Sequence, residues 1–138
     1  MKWTTPYLTF DGTCREAMAF YAACLGGELH STNFADAPGN PPTPRTAERI
    51  MHARLSKDGV PFLMASDTMA GQHVQVGYNF SIAIECESVT EIDAMYAALS
   101  AGGQQTMPVA DAFWGARFGM LLDKFGVQWM LNFDKPKA

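Results

Sequence analysis

The three histidines of this chain, His30, His52 and His73, are its first candidates for acid–base or metal chemistry. An imidazole changes charge near neutral pH and can also ligate a transition metal. The three stand far apart in the sequence and form neither an HxH nor an HExxH spacing, so no local metal motif is present. We therefore consider His52 as a candidate general base, with a hydrogen-bonded structural side chain as the alternative interpretation.

The hydroxyl and thiol side chains form no recognised catalytic motif. Ser66 and Ser81 lack a GxSxG turn and a convincing His–Asp relay. Neither GxxxxGK[ST] nor GxGxxG occurs, so no phosphate-binding loop or dinucleotide site is indicated, and no cofactor is predicted. Cys14, Cys24 and Cys86 form no CxxC pair and are odd in number. They are predicted to be buried, reduced thiols.

Composition limits the classes of protein that remain. The 138 residues suffice for one domain, and 48% hydrophobic against 17% charged residues is typical of a folded chain. A net charge of -4 argues against nucleic-acid binding. No run of 18 apolar residues is present, so no membrane span is predicted, and the first residues lack a signal-peptide core. We expect a cytoplasmic protein.

Periodicity divides the first half of the chain into four strands and one helix. Strands are predicted at 7–10, 28–34, 50–56 and 61–66, and a helix is predicted to end at residue 25. Thr13 and Glu16 have the spacing of a capping box at its start, and Gly26 and Gly27 follow its end. Residues 35–48 hold four of the eight prolines and are predicted to form a long loop of the lid or linker kind.

The second half repeats this plan. Strands are predicted at 78–85, 105–109, 116–122 and 127–133, with a helix at 89–101 that Ser88 and Glu91 cap. The helix ends also match in residues, because YAACLGG at 21–27 corresponds to YAALSAGG at 96–103. The chain is therefore predicted to be βαβββ twice, in one domain over 1–138, with module 1 at about 3–67 and module 2 at about 78–134.

A duplicated βαβββ unit of this size resembles the vicinal oxygen chelate superfamily, which includes glyoxalase I, bleomycin-resistance proteins and extradiol dioxygenases. Its PhnB-like branch is the more specific match, over segments that together cover nearly the whole chain. These segments are 6–12 (PYLTFDG), 50–55 (IMHARL), 63–67 (LMASD), 113–119 (FWGARFG) and 123–129 (DKFGVQW).

The resemblance implies an α+β fold in which two paired βαβββ modules form one curved sheet. The concave side would be a ligand cavity, the helices would cover the convex side, and the chain would form a homodimer. Strand alternation assigns Phe80, Trp129 and their alternate neighbours to the helix side. The side chains predicted to line the cavity are Tyr7, Thr9, His52, Arg54, Met64, Ser66, Ser81, Trp114, Arg117, Gln128 and Met130. Among them, Arg117 is a candidate clamp for a carboxylate or phosphonate, with a surface or structural salt bridge as the alternative. Trp114, with Phe113, is a candidate stacking surface for a ligand or part of a dimer contact.

Metal-dependent members of the superfamily carry His or Glu ligands on the first, fourth, fifth and eighth strands. The corresponding positions here are Pro6 or Tyr7, Met64, Ser81 and Met130, which are not usual ligands of a divalent ion. No metal is predicted. PhnB-like proteins are often called methyltransferases, and we reject that activity because no doubly wound sheet for a methyl donor is indicated.

Three functions remain open. The first is a metal-free protein that binds a polar or anionic small molecule. The second is an enzyme, either an isomerase or lyase with His52 as base or a metalloenzyme with a displaced site. The third is a dimeric scaffold with a vestigial cavity.

Overall fold

The computed structural model describes residues 1–34, 49–69 and 71–137. The predicted loop at 35–48 lies outside the described residues. The chain divides into two compact units, Met1–Gln75 (unit 1) and Val76–Ala138 (unit 2). No helix in the described part of the chain is long and apolar enough to cross a membrane.

Unit 1 is a four-stranded sheet with one helix. Its elements are β1 (Tyr7–Phe10), α1 (Cys14–Leu25), β2 (Glu28–Asn33), β3 (Ile50–Lys57) and β4 (Val60–Asp67). The strand order is β1-β4-β3-β2, in which β1 and β4 are parallel and the other pairs are antiparallel. The β3–β4 hairpin turns at Asp58 and Gly59, both at positive φ, and an Asp-Gly pair is typical of such a turn.

Unit 2 repeats the same topology. It contains β5 (Ile82–Glu85), α2 (Val89–Ser100), β6 (Gln104–Asp111), β7 (Ala116–Leu122) and β8 (Gln128–Asp134). Its strand order is β5-β8-β7-β6, again with one parallel pair, β5 and β8. The prediction of an α+β fold with two βαβββ modules is therefore confirmed.

Each helix packs on one face of its own sheet, and the core of each unit lies between the two. In unit 1, Leu55 and Leu63 of the sheet are buried with Tyr21 of α1. In unit 2, Trp129 and Leu131 are buried with Ile92 and other residues of α2. We call the opposite face of each sheet, which does not contact that unit's own helix, the helix-free face.

The repeated Tyr-Ala-Ala and Gly-Gly segments have a packing explanation. A Cβ on Gly27 would stand 2.7 Å from the Ser56 carbonyl oxygen, and one on Gly103 would collide with the Leu122 carbonyl oxygen. These oxygens belong to the ends of β3 and β7, which correspond to each other in the two units. Glycine at this position lets the chain leave each helix close beside the sheet.

Three local predictions were wrong. The Thr13 side chain makes no cap hydrogen bond, whereas Ser88 accepts one from the Glu91 N–H at 3.0 Å, as predicted for the second helix. The strand predicted at 78–85 covers only Ile82–Glu85. Phe80 therefore lies before the strand, with 56% of its surface exposed, and does not contribute to the core as predicted.

Candidate functional site

The helix-free face of unit 1 brings together the predicted residues of β1 and β4. Leu8 and Phe10 are buried on the helix side, so Tyr7 and Thr9 between them face the other way. The same alternation in β4 leaves Met64 and Ser66 on that opposite face. The strands pair Tyr7 with Met64 and Thr9 with Ser66, so the four side chains are neighbours.

Strand β3 adds a basic pair to this face. Ala53 and Leu55 are buried, and the alternate residues His52 and Arg54 lie on the helix-free side. The Tyr7 hydroxyl lies 3.1 Å from Nδ1 of His52, and the two rings stack with centroids 5.8 Å apart and an interplanar angle of 28°. Arg54 pairs with Met64 in the register, which brings its side chain to the same row as Tyr7.

Arg54 is the exposed positive charge of this face. Among the described residues, no carboxylate lies within ion-pair distance of its guanidinium. A guanidinium keeps its charge at any physiological pH and offers five N–H donors. The helix-free face of unit 1 can therefore supply a charged donor to an anion without first breaking an ion pair within the described chain.

The structure corrects the placement of Arg117. Arg117 pairs in register with Phe133, on the face where Gly119 and Leu121 meet α2. Its Nε donates to Asp93 of α2 at 2.6 Å, and its Nη1 lies 3.2 Å from an oxygen of Asp111. Arg117 is thus on the helix side of its sheet and not on the helix-free face, and it forms the salt bridge that was the alternative to a ligand clamp.

The charges around Arg117 are already compensated. The hydrogen bond to Asp93 raises the pKa of Arg117 above its usual value. Lys135, at 2.7 Å, and Arg117 hold the pKa of Asp111 below its usual range. A new anion would therefore have to compete with the two carboxylates already paired with Arg117.

In unit 2, the predicted residues lie on or beside the helix-free face. This face carries more large apolar side chains than the helix-free face of unit 1. Gln128 and Met130 lie on the helix-free side of β8, between the buried Trp129 and Leu131. The Trp114 ring packs edge-on against Phe118, with centroids 5.9 Å apart. Ser81 precedes β5, and the residue in register with Met130 is Ala83. The alternation argument therefore does not fix the direction of the Ser81 side chain.

Sequence reasoning missed several residues of these faces. His30 pairs with Arg54 across β2 and β3, and Phe118 and Met120 occupy the helix-free side of β7. Both faces of β7 carry apolar residues, so alternation alone does not distinguish them. Gly119 is the residue that distinguishes the two faces of β7. The Tyr96 ring packs where a Cβ on Gly119 would be, and this contact marks the helix side of the strand.

The strand pairs in which metal ligands were considered offer few metal donors within either unit. The register places Tyr7 opposite Met64 and Ala83 opposite Met130, which are corresponding pairs in the two units. In unit 1 this pair offers a phenol and a thioether, and in unit 2 it offers a single thioether, none of which is a usual ligand of Zn²⁺ or a similar ion. Within the described part of the chain, no three His, Cys, Asp or Glu side chains converge as a metal site would require.

Two of the three thiols, those of Cys14 and Cys86, are also poor candidates for nucleophiles. None of the three cysteines forms a disulfide, and Cys14 and Cys86 are buried as predicted, while Cys24 is only partly buried. Burial raises the pKa of Cys14 to about 12 and that of Cys86 to about 11. Both side chains are therefore protonated and unreactive near neutral pH.

A family model and a curated relative each match nearly the whole chain. Residues 2–132 match the family described as 3-demethylubiquinone-9 3-methyltransferase. Over 96% of its length the chain is 33% identical to Protein YjdN of Escherichia coli strain K12, of which the match covers 96%.

Solved structures agree with this match. Protein PA1353 from Pseudomonas aeruginosa is 38% identical with a TM-score of 0.87, covering 99% of this chain and 100% of its own. A putative 3-demethylubiquinone-9 3-methyltransferase, PhnB protein, from Bacillus cereus is 27% identical with a TM-score of 0.74. The match covers 96% of this chain and 99% of the Bacillus cereus chain. The fold is shared by a glyoxalase/bleomycin resistance protein/dioxygenase from Nocardioides, which is 23% identical with a TM-score of 0.55. The match covers 100% of this chain and 87% of the Nocardioides chain.

Proposed function

The chain belongs to the family described as 3-demethylubiquinone-9 3-methyltransferase, in the PhnB-like branch of the glyoxalase/bleomycin resistance/dioxygenase superfamily. From that premise, we propose that the protein binds a small anionic molecule without a metal. The ligand would lie on the helix-free face of unit 1. One observation carries the proposal, which is the exposed Arg54 guanidinium without a carboxylate partner in the described chain.

The neighbours of Arg54 suit a polar ligand. Thr9, Ser66 and the Tyr7–His52 pair provide hydroxyl and imidazole groups on the same face, and Met64 provides an adaptable apolar contact between them. A charge-assisted hydrogen bond from Arg54 would supply orientation as well as affinity. This combination favours a small carboxylate or another oxyanion.

The metal-free part of the proposal rests on the donor set. The resemblance places the ligands of metal-dependent members at Pro6 or Tyr7, Met64, Ser81 and Met130, and none of these residues is a usual His, Glu or Cys donor. The methyltransferase activity in the family's description is also left out of the proposal. Each described sheet has one parallel pair of strands, whereas a methyl-donor site is usually built on a doubly wound parallel sheet.

Homodimer formation and a cytoplasmic location complete the proposal. Exposed Phe113 and Trp114, at 97% and 56%, support a dimer contact near the β6–β7 turn. The absence of a disulfide among Cys14, Cys24 and Cys86 is compatible with a reducing compartment. Neither nucleic acid nor a membrane is part of the proposed function.

A second candidate is an isomerase or lyase with His52 as its base. The hydrogen bond between Tyr7 and Nδ1 of His52 favours this candidate, because an oriented imidazole is the usual form of a general base. In that case Nε2 of His52 would have to carry a lone pair. The plain dimeric scaffold is the outcome in which no ligand binds.

We expect small dicarboxylates such as malonate to bind and to raise the melting temperature of the protein. Arg54→Gln should weaken malonate binding about tenfold to hundredfold, since a hydrogen bond to a charged group contributes roughly 1.5–3 kcal/mol. Isothermal titration calorimetry measures the affinity directly. EDTA should leave the malonate affinity of the wild-type protein unchanged, because no metal takes part.

Lys57→Gln is the matched control, because it removes the same charge from an exposed residue at the far end of β3. This variant should bind malonate as well as the wild type. If Arg54→Gln and Lys57→Gln bind equally, Arg54 is not part of the site. If the wild type binds neither malonate nor inorganic phosphate, the scaffold interpretation replaces the proposed function.

A further inference from the structure

The contact between Tyr7 and His52 is a specific hydrogen bond on an exposed face. The phenol oxygen and Nδ1 are 3.1 Å apart, and half of the Tyr7 surface is exposed. The two residues come from different strands, β1 and β3, which are separated in the sheet by β4. Such a bond joins β1 to β3 across the intervening β4 and restricts the orientation of the imidazole.

With a neutral imidazole, two arrangements of protons satisfy this hydrogen bond. Either the Tyr7 hydroxyl donates to Nδ1, and the ring proton of neutral His52 is on Nε2, or Nδ1–H donates to the phenol oxygen and Nε2 carries the lone pair. A phenol is more acidic than a neutral imidazole N–H, so it is the better donor of the two. The first arrangement is therefore favoured.

This arrangement decides what His52 offers a ligand. Among the described residues, Nε2 has no hydrogen-bond partner, so its proton is available for an acceptor. Arg54 lies two residues further along β3, on the same face. Two residues at i and i+2 of a strand project in parallel about 6.5 Å apart, a separation that one small dicarboxylate can bridge.

We propose that Tyr7 is a positioning residue that fixes the Nε2–H tautomer of His52, and that His52 thereby becomes a second hydrogen-bond donor beside Arg54 for an oxyanion. This inference rests on the proposed function and extends it, because it gives the site two fixed donors. It also opposes the second candidate, since an Nε2 that bears a proton does not act as a base.

The test combines a spectroscopic measurement with an affinity measurement. Nuclear magnetic resonance of the protein labelled with ¹³C and ¹⁵N at histidine distinguishes the two neutral tautomers, and His52→Gln assigns the His52 signals. At a pH where the ring is neutral, we expect the Nε2–H tautomer in the wild type. Tyr7→Phe keeps the stacking ring and removes the hydroxyl, so the signals should shift towards a mixture of tautomers.

We expect malonate affinity to fall about threefold to tenfold in Tyr7→Phe, within the range for the loss of one net hydrogen bond. Tyr78→Phe is the control, because Tyr78 is 71% exposed and outside both faces. It should change neither the tautomer nor the affinity. Inorganic phosphate, titrated in parallel, shows whether the site prefers a carboxylate or a phosphate oxyanion.

Each outcome has a distinct meaning. An Nδ1–H tautomer in the wild type overturns the inference and supports His52 as a base. An Nε2–H tautomer that Tyr7→Phe leaves unchanged, with unchanged affinity, removes Tyr7 from its positioning role. If the tautomer responds to Tyr7→Phe but the wild type binds neither anion, the proposed function fails while the positioning of His52 by Tyr7 stands.

Discussion

The buried carboxylate of Asp67 shows how one side chain joins three segments of unit 1. Its Oδ1 accepts hydrogen bonds from the backbone N–H groups of Gly12 and Cys14, at 2.8 and 3.0 Å. Its Oδ2 accepts from Ile50 N–H at 2.9 Å. Asp67 is therefore the residue that satisfies the start of α1, a role that the sequence assigned to Thr13, because only the fold brings the end of β4 to that point.

Replacing Asp67 with asparagine should destabilise the protein by about 2–4 kcal/mol, because an amide nitrogen cannot accept from a buried N–H. Urea unfolding measures the change in the free energy of unfolding. Asp58→Asn makes the same substitution at the hairpin turn, where φ is +52°, a conformation that asparagine tolerates well. Equal stability of the two variants would show that the Asp67 hydrogen bonds contribute nothing net.

Two arginines show the limit of prediction at the residue scale. Arg54 lies on the helix-free face that strand alternation indicates for it, because its neighbours Ala53 and Leu55 are both buried on the helix side. Alternation did not place Arg117, because the residues on both faces of β7 are apolar. Its ion pair with Asp93 connects a strand to a helix 24 residues earlier in the chain. Such a contact depends on packing, which strand periodicity does not encode.

At the scale of elements, the two helices begin in different ways although the sequence predicted the same capping box for both. Ser88 caps α2 through the Glu91 N–H, and the Glu91 carboxylate accepts from Glu87 N–H at 3.0 Å. At α1, the φ and ψ of Thr13 are -103° and 8°, so its hydroxyl makes no cap bond. A cap depends on the backbone conformation of the residue as well as on its type.

Ser88→Ala should therefore cost about 1 kcal/mol in the free energy of unfolding. Thr13→Ala is its matched comparison and should cost less than about 0.5 kcal/mol, because no cap hydrogen bond is lost. Both values come from the same denaturation experiment. A Thr13→Ala variant that loses as much as Ser88→Ala would contradict the assignment of the α1 cap to Asp67.

Strand and helix bounds followed from the sequence because turn residues mark most of them. Each predicted strand except one matches its observed counterpart closely, and β7 at Ala116–Leu122 matches fully. The exception is β5, where apolar residues from Tyr78 onward suggested a longer strand. Tyr78 and Phe80 are exposed in the chain, so their apolar character does not reflect burial in unit 2.

At the scale of the whole chain, the two units share one topology but differ in the chemistry of their helix-free faces. The face of unit 1 carries Tyr7, His52 and Arg54, whereas that of unit 2 carries Phe118, Met120 and Met130. Duplication explains the common strand order, and the difference explains why the proposed anion site belongs to unit 1. The repeat was visible in the sequence, but this division of roles required the register of every strand.

The exposed aromatic residues lead to a prediction about assembly. In the single chain, Phe113, Tyr78 and Trp114 expose 97%, 71% and 56% of their surfaces. Clustered exposed aromatic side chains mark interfaces more often than ordinary surface, and Phe113 and Trp114 pack against each other at 5.0 Å.

We therefore expect light scattering to give twice the 15.1 kDa chain mass at micromolar concentrations. The variant Phe113→Ser with Trp114→Ser should shift the population towards the single-chain mass, because it removes the apolar area that association would bury. Val60→Ser, an exposed apolar residue at the β3–β4 turn, is the control and should remain dimeric. A wild-type mass of 15.1 kDa throughout would contradict the dimer, and a dimer that survives in the double variant would place its contact elsewhere.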